Sequence, residues 1–345
     1  MTVLATNYLT LVDVMKQTVG DSVETDIAEI LSESNDLLAD LHVMECNDGT
    51  SHKAVIRHGL PKGTFRKLYG YVPTEKSTTE QVVDVTGELE SYSTPDIDLI
   101  DHSKNPAQTR LNEARAFIEG MGQTAQETII YGSRAENDAK FDGLAVRYSK
   151  ISKDKKSIGY NVIDAGGTGT NNTSIWFITT GENDVALLYP KGSKAGLQHF
   201  DDGIQTETNE KGEKRKVYQD HFKHSLGLTV KDYRSTCRIA NIDVDKLLKG
   251  EVDLLALLRK GYFRIKKRIK KNKNADQQVS KRTFIYCNST VAEMLDAAAT
   301  DKANVNLNIK EYCGADVAHY KNIPIREIDQ ILETEERVLE EEAAA

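Results

Sequence analysis

Residues 43–89 constrain this chain more than any other stretch, because they are patterned as strand yet carry too little apolar surface for a core of their own. Val43 to Cys46 and Lys53 to Arg57 flank the turn signal Asn47-Asp48-Gly49, which predicts a short hairpin. Beyond Pro61 and Gly63 come Phe65, Leu68, Tyr69 and Tyr71, a polar stretch from Thr74 to Glu80, and the alternating run Val83, Val85, Leu89. An extended β excursion of this kind must bury its apolar face against something else, and a second copy of the chain is one candidate.

Elsewhere the periodicity changes repeatedly. Thr10 can cap a short helix through Thr18, and Thr25 a longer one with Ile27, Ile30, Leu31, Leu38 and Leu41 at helical spacing. Pro95 and Pro106 bracket a short helix. Pro106 then opens the longest helical pattern, which runs to about Tyr131, places Leu111, Ala114, Ile118, Met121, Ala125 and Ile129 on one face, and is closed by Gly132. From Ile158 strands dominate, at Tyr160–Ile163, Ile175–Thr179, Val185–Tyr189 and Leu226–Ile239, with a hairpin turning at 209–212. Helical spacing returns over Val244–Lys271, broken near Gly250, and over Val291–Ala299 after a strand at Thr283–Cys287. Ile323-Pro324-Ile325-Arg326 reads as a final edge strand, because proline lacks a ladder donor. The glutamate-rich end, Glu333 onward, reads as a solvated tail. The fold class is α+β.

Chemistry is hard to place on this chain. A formal net charge of −8 disfavours a protein whose main affinity comes from neutralising phosphates. Cys46, Cys237, Cys287 and Cys313 have neither zinc-finger nor disulfide-framework spacing and read as buried thiols. Asp164-Ala165-Gly166-Gly167-Thr168-Gly169 lacks the dinucleotide spacing, and the Pro190 to Gly196 loop lacks a Walker ending. His221 and His224 are three apart in a strand, where that spacing does not converge two imidazoles. No catalytic, cofactor or metal residues are nominated. The one strong charge cluster is the basic run Arg264, Lys266, Lys267, Arg268, Lys270, Lys271 and Lys273, interleaved with Phe263, Ile265 and Ile269. Its plain reading is a solvated helix face. Its sharper one, through Arg264, Lys266, Lys267 and Lys270, is a contact with DNA or an acidic patch. The first 15 residues lack a secretory pattern and no apolar run spans a bilayer, so a cytosolic site of synthesis is expected.

Several blocks, taken in order, resemble the major capsid proteins of short-tailed phages of the epsilon-fifteen kind. They are Thr10 to Asp13, Gly59-Leu60-Pro61, Lys76 to Thr79, Phe141 to Ala145, Asp164 to Gly169 with Asn172 to Trp176, Pro190 to Leu197, Gly227 to Asp232, Arg238 to Asp243 and Ile323 to Arg326. The resemblance runs across nearly the whole chain. It implies the Hong Kong 97 type of fold, with an N-arm over 1–42 and an extended E-loop over 43–89. A P-domain follows from 90–150 and 204–245 on a spine helix of about 105–131, an A-domain from 151–203 and 246–332, and an acidic tail from 333–345.

As function, the resemblance implies a non-enzymatic coat subunit that self-assembles as hexamers and pentamers into an icosahedral virion shell around double-stranded DNA, in the host cytoplasm. Expected partners are a separate scaffolding protein, a cement or decoration protein, a portal protein at one vertex and the packaged genome. Candidate inter-subunit contacts are Phe65, Leu68, Tyr69, Lys62 and Lys67, and assembly is expected to be noncovalent. Two rivals stay open: a bacterial nanocompartment shell of the same fold, and a soluble α+β enzyme with a cleft at Asp164–Gly169 or at His221 and His224.

Overall fold

The computed structural model describes residues 36–341 apart from 60, 104, 156, 209–210, 272–281, 301–306 and 313–314. The helices expected from Thr10 and Thr25 therefore lie outside the described residues, except for a last turn, α1 (Asp36–Asp40), which buries Leu37. The described residues fall into two compact units, one formed by 36–87, 126–193 and 227–341, the other by 88–125 and 194–226.

In chain order come β1 (His42–Glu45), β2 (Ser51–Gly59), β3 (Thr78–Ser93), α2 (Ile97–Asp101) and α3 (Pro106–Tyr131). Then follow α4 (Leu144–Arg147), β4 (Val162–Asp164), β5 (Asn172–Thr180), β6 (Val185–Tyr189), β7 (Leu197–Thr208), β8 (Lys214–Val230) and β9 (Thr236–Asp243). The last third holds α5 (Val244–Leu248), α6 (Leu254–Lys271), β10 (Arg282–Cys287), α7 (Ser289–Thr300), β11 (Leu307–Tyr312), β12 (Ala315–Tyr320) and β13 (Ile323–Glu327). Proline at the first position of α3 needs no amide partner there, and Gly132 follows its last residue, so both ends fall where the sequence places them. The break between α5 and α6 coincides with Gly250, whose φ of +74° an L side chain rarely adopts.

The larger unit is built on a mixed sheet. β5 lies between β10 and β9, both antiparallel to it, while β4 runs parallel to β9 and β13 parallel to β10. Every residue of β5 is buried, so its two faces serve two cores. On one face Ile175 and Phe177 pack with Ile239, Ile285, Leu257, Leu258, Ile265, Val291 and Leu295 from neighbouring strands, α6 and α7. Gly261 brings α6 against the Phe177 ring, so closely that an added Cβ would lie 2.6 Å from it. On the other face Trp176 meets the Tyr148 ring edge-on at 6.1 Å.

Three sequence expectations are corrected here. The predicted hairpin of β1 with β2 does not form: β1 pairs in parallel with β6, and β2 pairs with β3 instead. The turn itself is present, closed by reciprocal Asp48 and Ser51 backbone bonds and by the Asn47 side chain on Lys53, but the strands leaving it go to different partners. β13 is an interior strand, between β12 and β10. Pro324 is tolerated because the pairing with β12 is only two residues long, next to a tight turn in which Lys321 and Asn322 have φ of +49° and +69°. Finally, the glutamate-rich end is strapped onto the body up to residue 341. Glu335 is buried and pairs with Asn172 through the backbone, Asn241 clamps the Val338 backbone with both ends of its amide, and Leu339 and Glu341 bond Ile151.

In the smaller unit β7 pairs with β8 from Leu197 opposite His224 to Thr208 opposite Lys214, with a bulge between Asp201 and Gly203. Arg110 of α3 reaches Asp220 at 3.0 Å and Asp201 at 3.1 Å, and Phe117 stacks on Phe222. The buried residues of this part of α3 are Thr109, Asn112, Met121 and Ala125, so Met121 and Ala125 of the predicted apolar face are buried, whereas Leu111 and Ile118 of that face are exposed.

Candidate assembly surface

The excursion begins as a two-stranded ribbon, Ser51 opposite Val85 through Gly59 opposite Thr78, with an irregularity between Arg57 and Gly59. At about 3.4 Å per residue the nine residues of β2 carry the chain roughly 30 Å. Along β3 Leu89 is half-buried between exposed Glu88 and Glu90, as the sequence predicts, but nearer the tip the face is the opposite one: Asp84 is buried with His52 across from it, and Val83 and Val55 point outward. Asp84 chooses the face because the half-buried Arg147 guanidinium lies 2.8 Å away and also donates to the Leu228 carbonyl at 3.1 Å. A desolvated carboxylate is costly without such a partner, so this pair pins the root of the ribbon. Gly87 tightens the same root, since a Cβ there would sit 2.8 Å from the Ala139 carbonyl.

Beyond the ribbon, residues 61–77 have no helix or strand. Phe65, Leu68, Tyr69 and Tyr71 are fully exposed, at 107, 89, 101 and 100% of their reference area. Scattered exposed apolar residues are ordinary, but four such rings and chains within seven positions form a patch that water penalises, by about 25 cal/mol per Å². Lys62 and Lys67 are exposed beside them. Tyr69 has φ of +63°, an unfavourable conformation for an aromatic residue, and a Gly70 to Lys67 backbone bond of 3.0 Å holds that turn.

The basic run is brought together only in part. The Arg264 guanidinium is committed to the body, lying 3.6 Å from the Tyr160 ring centre and donating to the Tyr160 carbonyl. Lys266 places its ammonium 4.3 Å over the Phe263 ring. The side chains of Lys267 and Lys270 lie outside the described residues. His221 stacks on Tyr92 at 4.3 Å and lies 3.5 Å from Glu90, while burial pushes the His224 imidazole below its ordinary range. Among the described residues no three His, Cys, Asp or Glu side chains converge as a metal cage. The Asp164–Gly169 segment is held by Asp164 and Asn241 bonds to Gly166 and Asp164, and Gly166 has φ of +93°.

Cys46, Cys237 and Cys287 are unpaired and buried. Burial pushes the Cys46 thiol up to about 11 and the Cys237 thiol up to about 12, and raises Cys287 as well. Because the thiolate is the nucleophile, these three should resist iodoacetamide at pH 8 in the folded protein and react once it is unfolded. Peptide mapping of the alkylated protein checks this, and rapid native labelling of Cys237 or Cys287 would contradict it.

One buried cluster had no signature in the sequence. Arg238, Glu335, Ser174 and Tyr131 form a hydrogen-bonded group in which the Arg238 to Glu335 distance is 3.0 Å and both side chains are about 5% exposed. Glu335 sits within a run of glutamates, so composition disguised it.

Comparison with known proteins fits this architecture. The family model described as major capsid protein GP7 matches residues 20–339. No curated protein matches the chain. Among solved structures, that of bacteriophage epsilon15 is 31% identical, with a TM-score of 0.72, and the match covers 97% of this chain and 98% of that one. The bacteriophage JBD30 capsid shares the fold at 10% identity, with a TM-score of 0.50 and coverage of 92% and 98%. An α+β body of the Hong Kong 97 type, with a long helix after an outstretched ribbon and a match across nearly its whole length, places the chain in the major capsid protein GP7 family.

Proposed function

We propose that this capsid subunit closes its shell through noncovalent contacts in which the tip of the excursion, Phe65, Leu68 and Tyr69 flanked by Lys62 and Lys67, is buried on an adjoining copy. Membership in the capsid family supplies the shell, and its role is structural. The exposure of the tip on the isolated chain is the observation that carries the proposal. Burying a phenylalanine, a leucine and a tyrosine is worth roughly 5–9 kcal/mol per copy, and a closed shell repeats that contact at every copy.

Within the same reading, 43–89 is the E-loop, 90–150 with 204–245 the P-domain, 151–203 with 246–332 the A-domain, and 1–42 an N-arm that adds to the contacts. The subunits form the hexamers and pentamers of a virion shell assembled in the host cytoplasm. A separate scaffolding protein guides closure, a cement protein decorates the shell, a portal protein occupies one vertex and the packaged DNA lies inside. Lys266, with Lys267 and Lys270, is the candidate cationic contact to that DNA. Charge reversal at these three positions should then lower genome retention without changing shell yield.

The test is the triple variant Phe65→Ser, Leu68→Ser, Tyr69→Ser in the full chain. Its unfolding transition should match the parent, because the tip has no core to lose, while negative-stain imaging should show loss of closed shells. Wild-type particles should run as single subunits on a denaturing gel. Shells of normal yield from the triple variant, or a covalent ladder, would refute the proposal.

A further inference from the structure

Within the larger unit, α6 turns one side to the core and leaves an aromatic ring on the other. Gly261 and Ile265 are buried against the sheet, whereas Phe263, two positions from each and so on the far side of the helix, is 55% exposed. Tyr262 meets the Phe263 ring edge-on at 5.7 Å and the Tyr320 ring edge-on at 6.2 Å. Tyr320 is buried in the core, so the three rings form a platform with a fixed base. Two ammonium groups lie over it. Lys266 is 4.3 Å from the Phe263 ring centre, and Lys321 is 4.8, 5.5 and 5.3 Å from those of Tyr262, Phe263 and Tyr320. Among the described residues neither lysine has a carboxylate in an ion pair with it. Arg259, one turn earlier in α6, adds a third cation and forms a side-chain hydrogen bond with Tyr320.

Lys321 reaches this platform from a distant part of the chain and from an unfavourable backbone. It opens the turn between β12 and β13 with φ of +49°, and Asn322 follows at +69°, a conformation that glycine adopts more readily. A side chain is therefore retained where the turn alone would favour none, and its ammonium is delivered onto the rings of α6.

An exposed ring among unpaired cations matches a ligand that alternates flat apolar rings with phosphates. Charge alone would suit any polyanion, and would favour duplex DNA, which carries more charge per unit length than a single strand. The ring discriminates, because the faces of bases are already stacked in a duplex and open in a single strand. An ammonium over an exposed ring contributes about two- to fivefold to an equilibrium, whereas a base stacked on a ring contributes about five- to 150-fold. A base therefore displaces the ammonium from the ring face and leaves it beside the phosphates. We infer that the platform of Phe263, Tyr262, Lys266 and Lys321 binds single-stranded nucleic acid, stacking a base on Phe263 and pairing the flanking phosphates with the two lysines. The site shares Lys266 with the DNA contact proposed above but stands on Phe263 and Lys321, which that contact does not use.

The test is fluorescence anisotropy of purified full-length subunits with labelled oligothymidylate and oligouridylate of about 12 nucleotides, beside a duplex of the same length. Both single strands should bind at least about tenfold more tightly than the duplex at equal salt, and the tighter of the two tells DNA from RNA as the source. Phe263→Ser should lower single-strand affinity by about tenfold, Phe263→Tyr should retain it, and Phe263→Leu, apolar but without a flat ring, should behave like the serine variant. The unfolding transition of all three should match the parent, since the ring is exposed. Lys321→Gln should flatten the slope of log affinity against log salt by about 0.7. Duplex bound as tightly as single strand, no effect of Phe263→Ser, or polyglutamate of equal charge competing as well as the oligonucleotide would overturn the inference. If Phe263→Ser binds like the parent while charge reversal at Lys266, Lys267 and Lys270 still lowers genome retention, stacking fails and the DNA contact stands. If Phe263→Ser loses single-strand binding while that charge reversal leaves genome retention unchanged, the stacking site stands and the DNA contact fails.

Discussion

Replacing Glu335 with alanine is expected to destabilise the subunit by about 3–5 kcal/mol, because it strands a buried arginine without its counter-charge. Arg238 is 4% exposed, and its guanidinium donates to the Tyr148 carbonyl and the Ser174 hydroxyl at 3.0 and 3.1 Å while lying 5.0 Å from the Trp176 ring. Those contacts orient the guanidinium but carry no formal charge. Among the described residues Glu335 alone supplies one, and its second oxygen accepts from the Tyr131 hydroxyl at 2.5 Å. Burial, reinforced by Glu335, pushes the Tyr131 phenol far above its ordinary range, so it remains protonated and donating.

The loss should be read by urea unfolding of purified subunits, with Glu336→Ala, at an exposed neighbour, unchanged from the parent. Arg238→Met combined with Glu335→Leu should recover most of the stability, since an apolar pair of similar volume leaves no orphan charge. A cost below about 1 kcal/mol for Glu335→Ala would show that the charge finds water or another partner. Because Glu335 also fastens residues 332–341, the variant should expose that segment to protease before the rest of the chain unfolds.

Gly132→Ala is expected to cost about 3 kcal/mol, at the upper end for overpacking, because the atoms it meets are backbone. A Cβ at 132 would collide with the Thr128 carbonyl and lie 2.6 Å from the Phe141 carbonyl. Neither can rotate away. Residue 132 also anchors the return of the chain, since its carbonyl accepts from the Gly143 amide at 2.7 Å, and a Cβ added at Gly143 would lie only 2.8 and 2.9 Å from the Thr128 and Ile129 carbonyls. The two glycines let residues 128–132 and 141–143 approach backbone to backbone. Gly120→Ala is the control: nothing lies within 4 Å of its Cβ position, and a glycine inside a helix normally gains about 1 kcal/mol on becoming alanine. Thermal or denaturant unfolding of the two variants should therefore shift in opposite directions. Equal transitions would mean that the 128–143 contact yields more easily than its geometry indicates.

What was legible in the chain is what depends on neighbours a few residues away. Pro106 and Gly132 bound α3 because one needs no amide partner and the other ends the helical run, and Gly250 separates α5 from α6 by its left-handed backbone. Val185–Tyr189 is bounded by residues that break strands. The tip residues could be nominated because no companion apolar residues stood near them in sequence, and they are exposed on the isolated chain.

The misplaced features all depend on partners far along the chain. β1 was matched to the next strand because the turn between them is well formed, yet its partner is β6, more than 140 residues on. Pro324 suggested an edge, but only a hydrogen-bond register decides whether its missing donor matters. Alternation along β3 carries the period of the pleat but not the choice of face, and that choice belongs to Arg147, which draws Asp84 inward and leaves Val83 outside. In the same way a row of glutamates cannot say which one is buried, since the answer lies in where β9 and β5 place Arg238 and Ser174. By itself, the amino-acid order determined the elements and the presence of an apolar excursion without a core. The tertiary structure decided which strands pair and which charges are buried, because desolvation is set by atoms brought together from distant parts of the chain.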